Sequence, residues 1–192
     1  MLTVFQQQTT EKDFFRKVMG HFATGITVVT TNYQGTLWGL TVNSFCSVSL
    51  HPPLVLVCIN LTSRSIPLIR KSKIFAVNIL ADQQEDLSRR FAAFSQEGSD
   101  RFGCVPYHTV ATGAPILDGV HAFVDTHVIE EYAGGDHAIF LGRVVAVGMA
   151  DHVAFIHEAG SVSSSLPEHD STVSVDDQFP LIYYCGQYHR LH

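Results

Sequence analysis

Two short runs in this chain of 192 residues have the residue types and spacing to act on a small polar ligand: Gly135-Asp136-His137, and Asn60 through Ser65. In the first, glycine lets the backbone approach a ligand closely. The imidazole of His137 can hydrogen-bond a ring amide or stabilise charge during a transfer, and Asp136 either holds the turn or orients that imidazole. In the second, an apolar run ends at Asn60, hydroxyls follow, and a helix reads from Ser63 or Ser65. Free N–H groups at a helix start and the planar donors of Arg64 suit an anion such as phosphate. Ser63 and Ser65 read equally well as ordinary helix caps. A third stretch, residues 39–60, reads as a strand, a proline corner and a second strand. If residues 41–50 are extended, Thr41, Asn43, Phe45, Ser47 and Ser49 share one face, while Val42, Ser44, Cys46, Val48 and Leu50 form a core-like one. Short hydroxyl and amide side chains let a flat polar ring approach the backbone, although a solvent-facing strand has the same composition.

Other chemistries lack their residues. Cys46, Cys58, Cys104 and Cys185 have no CxxC spacing and no histidine motif beside them, so neither a zinc site nor a redox dithiol is expected. Cys46 and Cys58 fall in apolar strand patterns and read as buried thiols. His152 and His157 do not form HExxH, and no metal is expected. There is no GxSxG elbow for a hydrolase, and no GxGxxG after a strand for a Rossmann dinucleotide site. A net charge of −6 with scattered Lys and Arg argues against nucleic acid as the main partner. No basic and apolar leader opens the chain, and no apolar run is long enough for a bilayer span, so the expectation is a cytoplasmic protein with no membrane partner. Apolar content of 46% fits one compact domain over residues 10–192.

The elements that must position these residues follow from periodicity. Thr9 or Thr10 can cap a first helix in which Phe14, Phe15, Val18, Met19 and Phe22 make an apolar stripe, expected to pack on a sheet. Residues 25–31 read as a strand, 32–35 as a turn ending in glycine, and 54–60 as a central strand after His51-Pro52-Pro53. A short helix holds Pro67 in its first turn, residues 73–80 form a strand, and a helix starts near Asp82. Two extended runs between 120 and 149 meet at the Ala133-Gly134-Gly135-Asp136 turn. This order, strands with two helical excursions, predicts a mainly β protein built on a six-stranded barrel-like sheet. Residues 158–179, rich in serine and acidic side chains, read as a loop.

The motifs taken together resemble the short-chain flavin reductases, the reductase components of two-component flavin-dependent monooxygenases. The chain has GLT, NSF and SVSLHPP in the family's order, with His51 where the family usually has Asp. It also has Gly-Asp-His just before a strand continuing as AIFLGRV, and Asp100-Arg101-Phe102 after the second long helix. PLIYYCGQYHRL resumes the family's closing strand with Tyr184 and Tyr188, which makes residues 158–179 an insertion. The resemblance implies a split β-barrel, a homodimer, FMN or FAD, and NADH or NADPH as hydride donor. It implies flavin contacts at Thr41, Asn43, Ser44, Phe45, Ser47, Ser49, Leu50, Asn60, Ser63, Arg64, Ser65, Arg101, Phe102, Tyr184 and Tyr188. It places the nicotinamide at Gly135, Asp136 and His137, with His137 as the catalytic residue, and passes reduced flavin to a partner oxygenase. A flavin-binding redox carrier or sensor of the same fold is the alternative.

Overall fold

The computed structural model describes residues 11–93, 101–149, 152–156, 162–165 and 179–191. In chain order the elements are α1 (Glu11–Met19), β1 (Thr24–Gly25), β2 (Thr27–Tyr33), β3 (Thr36–Val42), β4 (Phe45–Leu50) and β5 (Pro53–Asn60). There follow α2 (Ser65–Ser72), β6 (Ile74–Ile79), α3 (Glu85–Ala92), β7 (Tyr107–Thr109), β8 (Pro115–Leu117), β9 (Ala122–Gly134) and β10 (His137–Met149). The last are β11 (His152–Ile156), β12 (Val162–Ser165), β13 (Ile182–Tyr184) and β14 (Gln187–His189). The protein is mainly β, as the sequence predicts.

The scaffold is an antiparallel sheet in which β12, β11, β10, β9, β6, β2 and β3 are successive neighbours, while β5 pairs with both β10 and β4. Among the described residues no strand pairing closes this sheet into a barrel. Gln34 and Gly35 both take positive φ (51° and 84°), the conformation a two-residue hairpin turn requires, and the Asn32 carboxamide oxygen accepts the Gly35 N–H at 3.0 Å. β6 (IFAVNI) is buried on both faces apart from its last residue, as a central strand must be. The main core joins β5 (Val55, Val57, Ile59), β6 (Phe75, Val77), β10 (Ala138, Phe140, Val144) and α2 (Ile66, Ile69). Gly142 of β10 lies against Phe75: a Cβ there would stand 2.6 Å from the ring's Cζ, so a side chain would force the core apart.

Several expectations change. The stretch 41–50 is not one strand: β3 ends at Val42, Asn43 and Ser44 form a break, and a register shift between Ser47 and Ser49 marks a bulge in β4. The period-two alternation therefore does not carry across it. The face expected to be core-like is open at Cys46, Val48 and Leu50, the last 81% exposed. Among the described residues β4 pairs only with β5, as an edge strand does. The α1 stripe is also uncovered, with Phe14, Phe15 and Phe22 each more than half exposed and no residue of the helix buried. Helical periodicity establishes that one face is apolar, not that the same chain packs against it. The predicted cap of α1 at Thr9 or Thr10 lies outside the described residues.

Helix α3 begins at Glu85 rather than near Asp82, because the backbone turns first through 81–84, where the Gln84 carboxamide oxygen accepts the Ala81 N–H at 2.9 Å. The expected closing strand is a hairpin, β13 and β14, turning at Cys185-Gly186 with φ of 49° and 81°; it pairs with β1 in a separate sheet. Within the predicted serine-rich loop, Val162–Ser165 form β12 and pair with β11. Most of the remainder of that loop lies outside the described residues. Among the described residues no helix is long and apolar enough to cross a membrane.

Candidate functional site

The two motifs that opened the sequence analysis are neighbours. Antiparallel pairing of β10 with β5 puts His137 opposite Asn60, and the Leu61 N–H donates to the Asp136 carbonyl at 3.0 Å. The Gly-Asp-His turn is therefore hydrogen-bonded to the start of the β5–α2 turn. Gly135 takes φ of 72°, a conformation that suits glycine and lets the chain reverse tightly into β10.

The β5–α2 turn is built by its own side chains. The Asn60 carboxamide oxygen accepts the Thr62 N–H at 2.9 Å and the Thr62 hydroxyl at 2.6 Å, an Asx-type turn. The Ser63 and Ser65 hydroxyls lie 2.8 Å apart, and Ser65 is fully buried. The Ser63 hydroxyl accepts the N–H of Ser65, the first residue of α2, at 3.3 Å, while the cap position itself is Arg64, with no side-chain cap hydrogen bond. Arg64 lines a cavity of about 340 Å³.

Thr41, Asn60, Ser63, Arg64 and Arg101 line that cavity, all five flagged in the sequence. Arg101 is held by the main chain: Nη1 donates to the Gly39 and Phe91 carbonyls at 3.0 and 2.9 Å, and Nη2 to the Ala93 carbonyl at 2.6 Å. Burial, and then the nearby Arg64 guanidinium, lower the Arg101 pKa from its ordinary value. A lowered arginine still carries its proton at neutral pH, so two cations face one space. The Thr41 hydroxyl donates to the Ser88 carbonyl at 2.7 Å and ties β3 to α3.

Thr62, within the predicted 60–65 run, also lines the cavity, as do residues that the sequence did not single out: Trp38 and Leu40 on β3, and Phe91, Ala92 and Ala93 at the end of α3. Trp38 and Leu40 share a strand face by period two, but no motif marks either as a site residue. The α3 residues had no local signal, since only the fold brings that helix end to β3.

At the turn itself, His137 Nδ1 lies 2.7 Å from an Asp136 carboxylate oxygen. That hydrogen bond, together with the charge of the imidazole, lowers the Asp136 pKa from its ordinary value. The carboxylate engages one ring nitrogen and leaves Nε2 to meet a ligand.

The remaining sequence candidates fall elsewhere. Ser44, at the β3–β4 break, donates its hydroxyl to the Cys58 carbonyl at 2.7 Å and accepts the Cys58 N–H at 3.2 Å through its own carbonyl. Phe45 packs on the main core, while Asn43 and Ser47 are exposed. The Ser49 hydroxyl accepts the His51 N–H at 3.2 Å. Phe102 is 8% exposed in a core cluster, with ring centroids 5.2 Å from Phe91 and 5.6 Å from Tyr107. The Tyr188 hydroxyl lies 3.0 Å from the Ser88 hydroxyl, under the Arg89 guanidinium. The Tyr184 hydroxyl stands 3.3 Å from His21, and hydrogen bonding with Cys185 raises its pKa. Of the thiols expected to be buried, Cys46 is exposed, and Cys58 is half-buried with its pKa raised chiefly by burial.

The chain resembles known proteins along most of its length. Residues 19–192 match the flavin reductase like domain family. The chain is 36% identical over 174 residues to the flavin-dependent monooxygenase reductase subunit HsaB of Rhodococcus jostii, covering 91% of this chain and 75% of that one. It is 36% identical over 138 residues to the reductase component of a 4-nitrophenol 4-monooxygenase/4-nitrocatechol 2-monooxygenase of Rhodococcus opacus, covering 72% of each chain. Among solved structures, the Streptomyces globisporus NADH:FAD oxidoreductase SgcE6, in complex with NAD and FAD fragments, superposes with a TM-score of 0.77 at 30% identity, over 97% of both chains.

Proposed function

The chain belongs to the flavin reductase-like family, and from that premise we propose that it is an NAD(P)H-dependent flavin reductase supplying a partner monooxygenase. The observation that carries this reading is the His137–Asn60 register, which joins the Gly-Asp-His turn to the wall of a cavity with two guanidinium groups. The cavity suits a flavin on its own chemistry. Arg64 and Arg101 supply charge for a phosphate, and Thr62 and Ser63 supply hydroxyls. Thr41, Leu40 and Trp38 form a wall of mixed polarity beside them.

A bound flavin would supply the hydride acceptor, its central-ring nitrogen, for a reduced nicotinamide. The protein's part is to bind, orient and exclude water. Arg64, with the main-chain-anchored Arg101, would hold the phosphate end, and Thr41, Asn60 and His137 would serve the ring end. Asn43 and Ser44, at the β3–β4 break two and three residues after the wall residue Thr41, would meet a flavin only where it reaches beyond the cavity, with Phe45 packed on the core behind them. Asp136 holds the His137 ring so that its free nitrogen meets the nicotinamide. Gly135 keeps the approach clear of side chains. Ser65, Phe102, Tyr184 and Tyr188 support the site from the α2 start, the core and the β13–β14 hairpin. Ser47, Ser49 and Leu50 contribute only as far as the ring reaches along β4.

The protein works as a cytoplasmic homodimer with a split-barrel core, and the exposed aromatic stripe of α1 supplies apolar surface for association. Sedimentation of the full chain as a monomer at micromolar concentration would remove the dimer. The activity is tested by following NADH and NADPH oxidation with FMN, FAD or no added flavin, beside His137→Ala. Flavin-dependent oxidation that the variant weakens through the nicotinamide KM is expected. Flavin binding with no oxidation of either nicotinamide would leave a flavin carrier instead.

A further inference from the structure

We propose that Trp38 is a flavin-binding residue of this cavity, offering its ring as a wall and its indole N–H as a hydrogen-bond donor. The inference rests on the flavin reductase reading above. Trp38 is the single tryptophan of the chain and lies on β3 opposite Thr31 of β2. The Arg101 guanidinium carbon sits 4.8 Å from the centre of its ring. Carbonyls of Gly39, Phe91 and Ala93 anchor Arg101, so ring and guanidinium form one fixed wall joining β3 to the end of α3. Carbonyl dipoles and an aromatic face hold a cation without neutralising it, whereas a carboxylate would cancel its charge. The wall therefore keeps its positive charge beside Arg64 and stays attractive to an anion.

A second observation concerns the donor. Trp38 Nε1 is buried and has no hydrogen-bond partner among the described residues. Buried indole N–H groups usually find an acceptor, and an unpaired one calls for an explanation. A flavin is rich in acceptors, in its phosphate oxygens and ring carbonyls, and a small movement of the indole on binding pairs the N–H with one of them. A site built to pair a buried donor discriminates strongly in favour of ligands that carry the acceptor.

The test compares wild-type protein with Trp38→Phe and Trp38→Leu, measuring FMN and FAD affinity by equilibrium dialysis alongside the flavin KM. Trp38→Phe keeps a ring under Arg101 and removes the N–H; it is expected to weaken flavin binding about tenfold, equivalent to about 1.4 kcal/mol. Trp38→Leu removes ring and donor together and weakens it further. The loss should fall on flavin Kd and KM more than on kcat, and leave the nicotinamide KM in place, which a general loosening of the fold would not do. Wild-type protein supplies a readout that needs no variant: emission from Trp38 should be quenched by flavin with the Kd that dialysis gives. Unchanged flavin affinity in Trp38→Phe, or saturation by flavin without change in the wild-type emission, overturns the role of Trp38 while flavin-dependent nicotinamide oxidation keeps the reductase reading. If wild-type protein neither binds nor reduces flavin, that reading falls and this inference falls with it.

Discussion

The β5–α2 turn and strand β4 have similar compositions, small hydroxyl residues among apolar ones, yet they occupy different settings. The turn's Asn60, Thr62, Ser63 and Arg64 all face one cavity, because β5 ends there, α2 begins there, and β10 delivers the Gly-Asp-His turn alongside. In β4, Cys46, Ser47 and Val48 are exposed on an edge strand with a bulge, and Ser49 spends its hydroxyl on the His51 N–H of its own corner. Residue type was alike in the two places, but the number of elements meeting there was not. Several ends converging leave polar groups pointing into a shared space, whereas one strand edge presents its side chains singly to solvent.

Arg64→Ala separates the two regions most strongly. Loss of a charge-assisted contact to phosphate is expected to raise the flavin KM by about 10- to 100-fold, from about 1.5–3 kcal/mol for such a bond. Steady-state kinetics with FMN and FAD measure it, and an unchanged KM would take the phosphate out of the turn. A smaller effect is expected from Asp136→Asn, a severalfold rise in the nicotinamide KM through loss of the hold on His137. Its pH dependence has a definite sign. The Asp136 pKa is lowered chiefly by its hydrogen bond with His137, so the carboxylate's contribution is present above the ordinary carboxylate value. That contribution disappears only as pH falls through the lowered value. The gap between wild type and Asp136→Asn should therefore persist at mildly acid pH and close below the ordinary carboxylate range; a gap already closed at neutral pH contradicts the pairing. Least of all should change in Ser47→Ala, whose flavin KM is expected to match wild type. A rise rivalling that of Arg64→Ala would move the ring onto β4 and reverse the contrast.

Much of the scaffold was legible in the chain. The turn at 32–35, the apolar run of β5, and the paired long strands on either side of the Gly-Gly turn all appear where local pattern puts them. So do five residues of the cavity wall: Thr41, Asn60, Ser63, Arg64 and Arg101. The misses share one origin. The alternation through 41–50 needs an unbroken strand, and the break at Asn43 and Ser44 and the β4 bulge interrupt it. The α1 stripe was correctly read as apolar and wrongly given a cover. Trp38 and the end of α3 carried no motif at all.

By itself, then, the sequence determined this protein's local elements and the residue types at their ends, because periodicity and turn chemistry act over a few neighbouring positions. Only the tertiary structure decided that Asn60 faces His137, and that Arg101 is pinned by β3 and α3 against Trp38. Those relations depend on strand register and on hydrogen bonds between residues far apart in the chain, which are settled when the core packs and leave no trace in a local window.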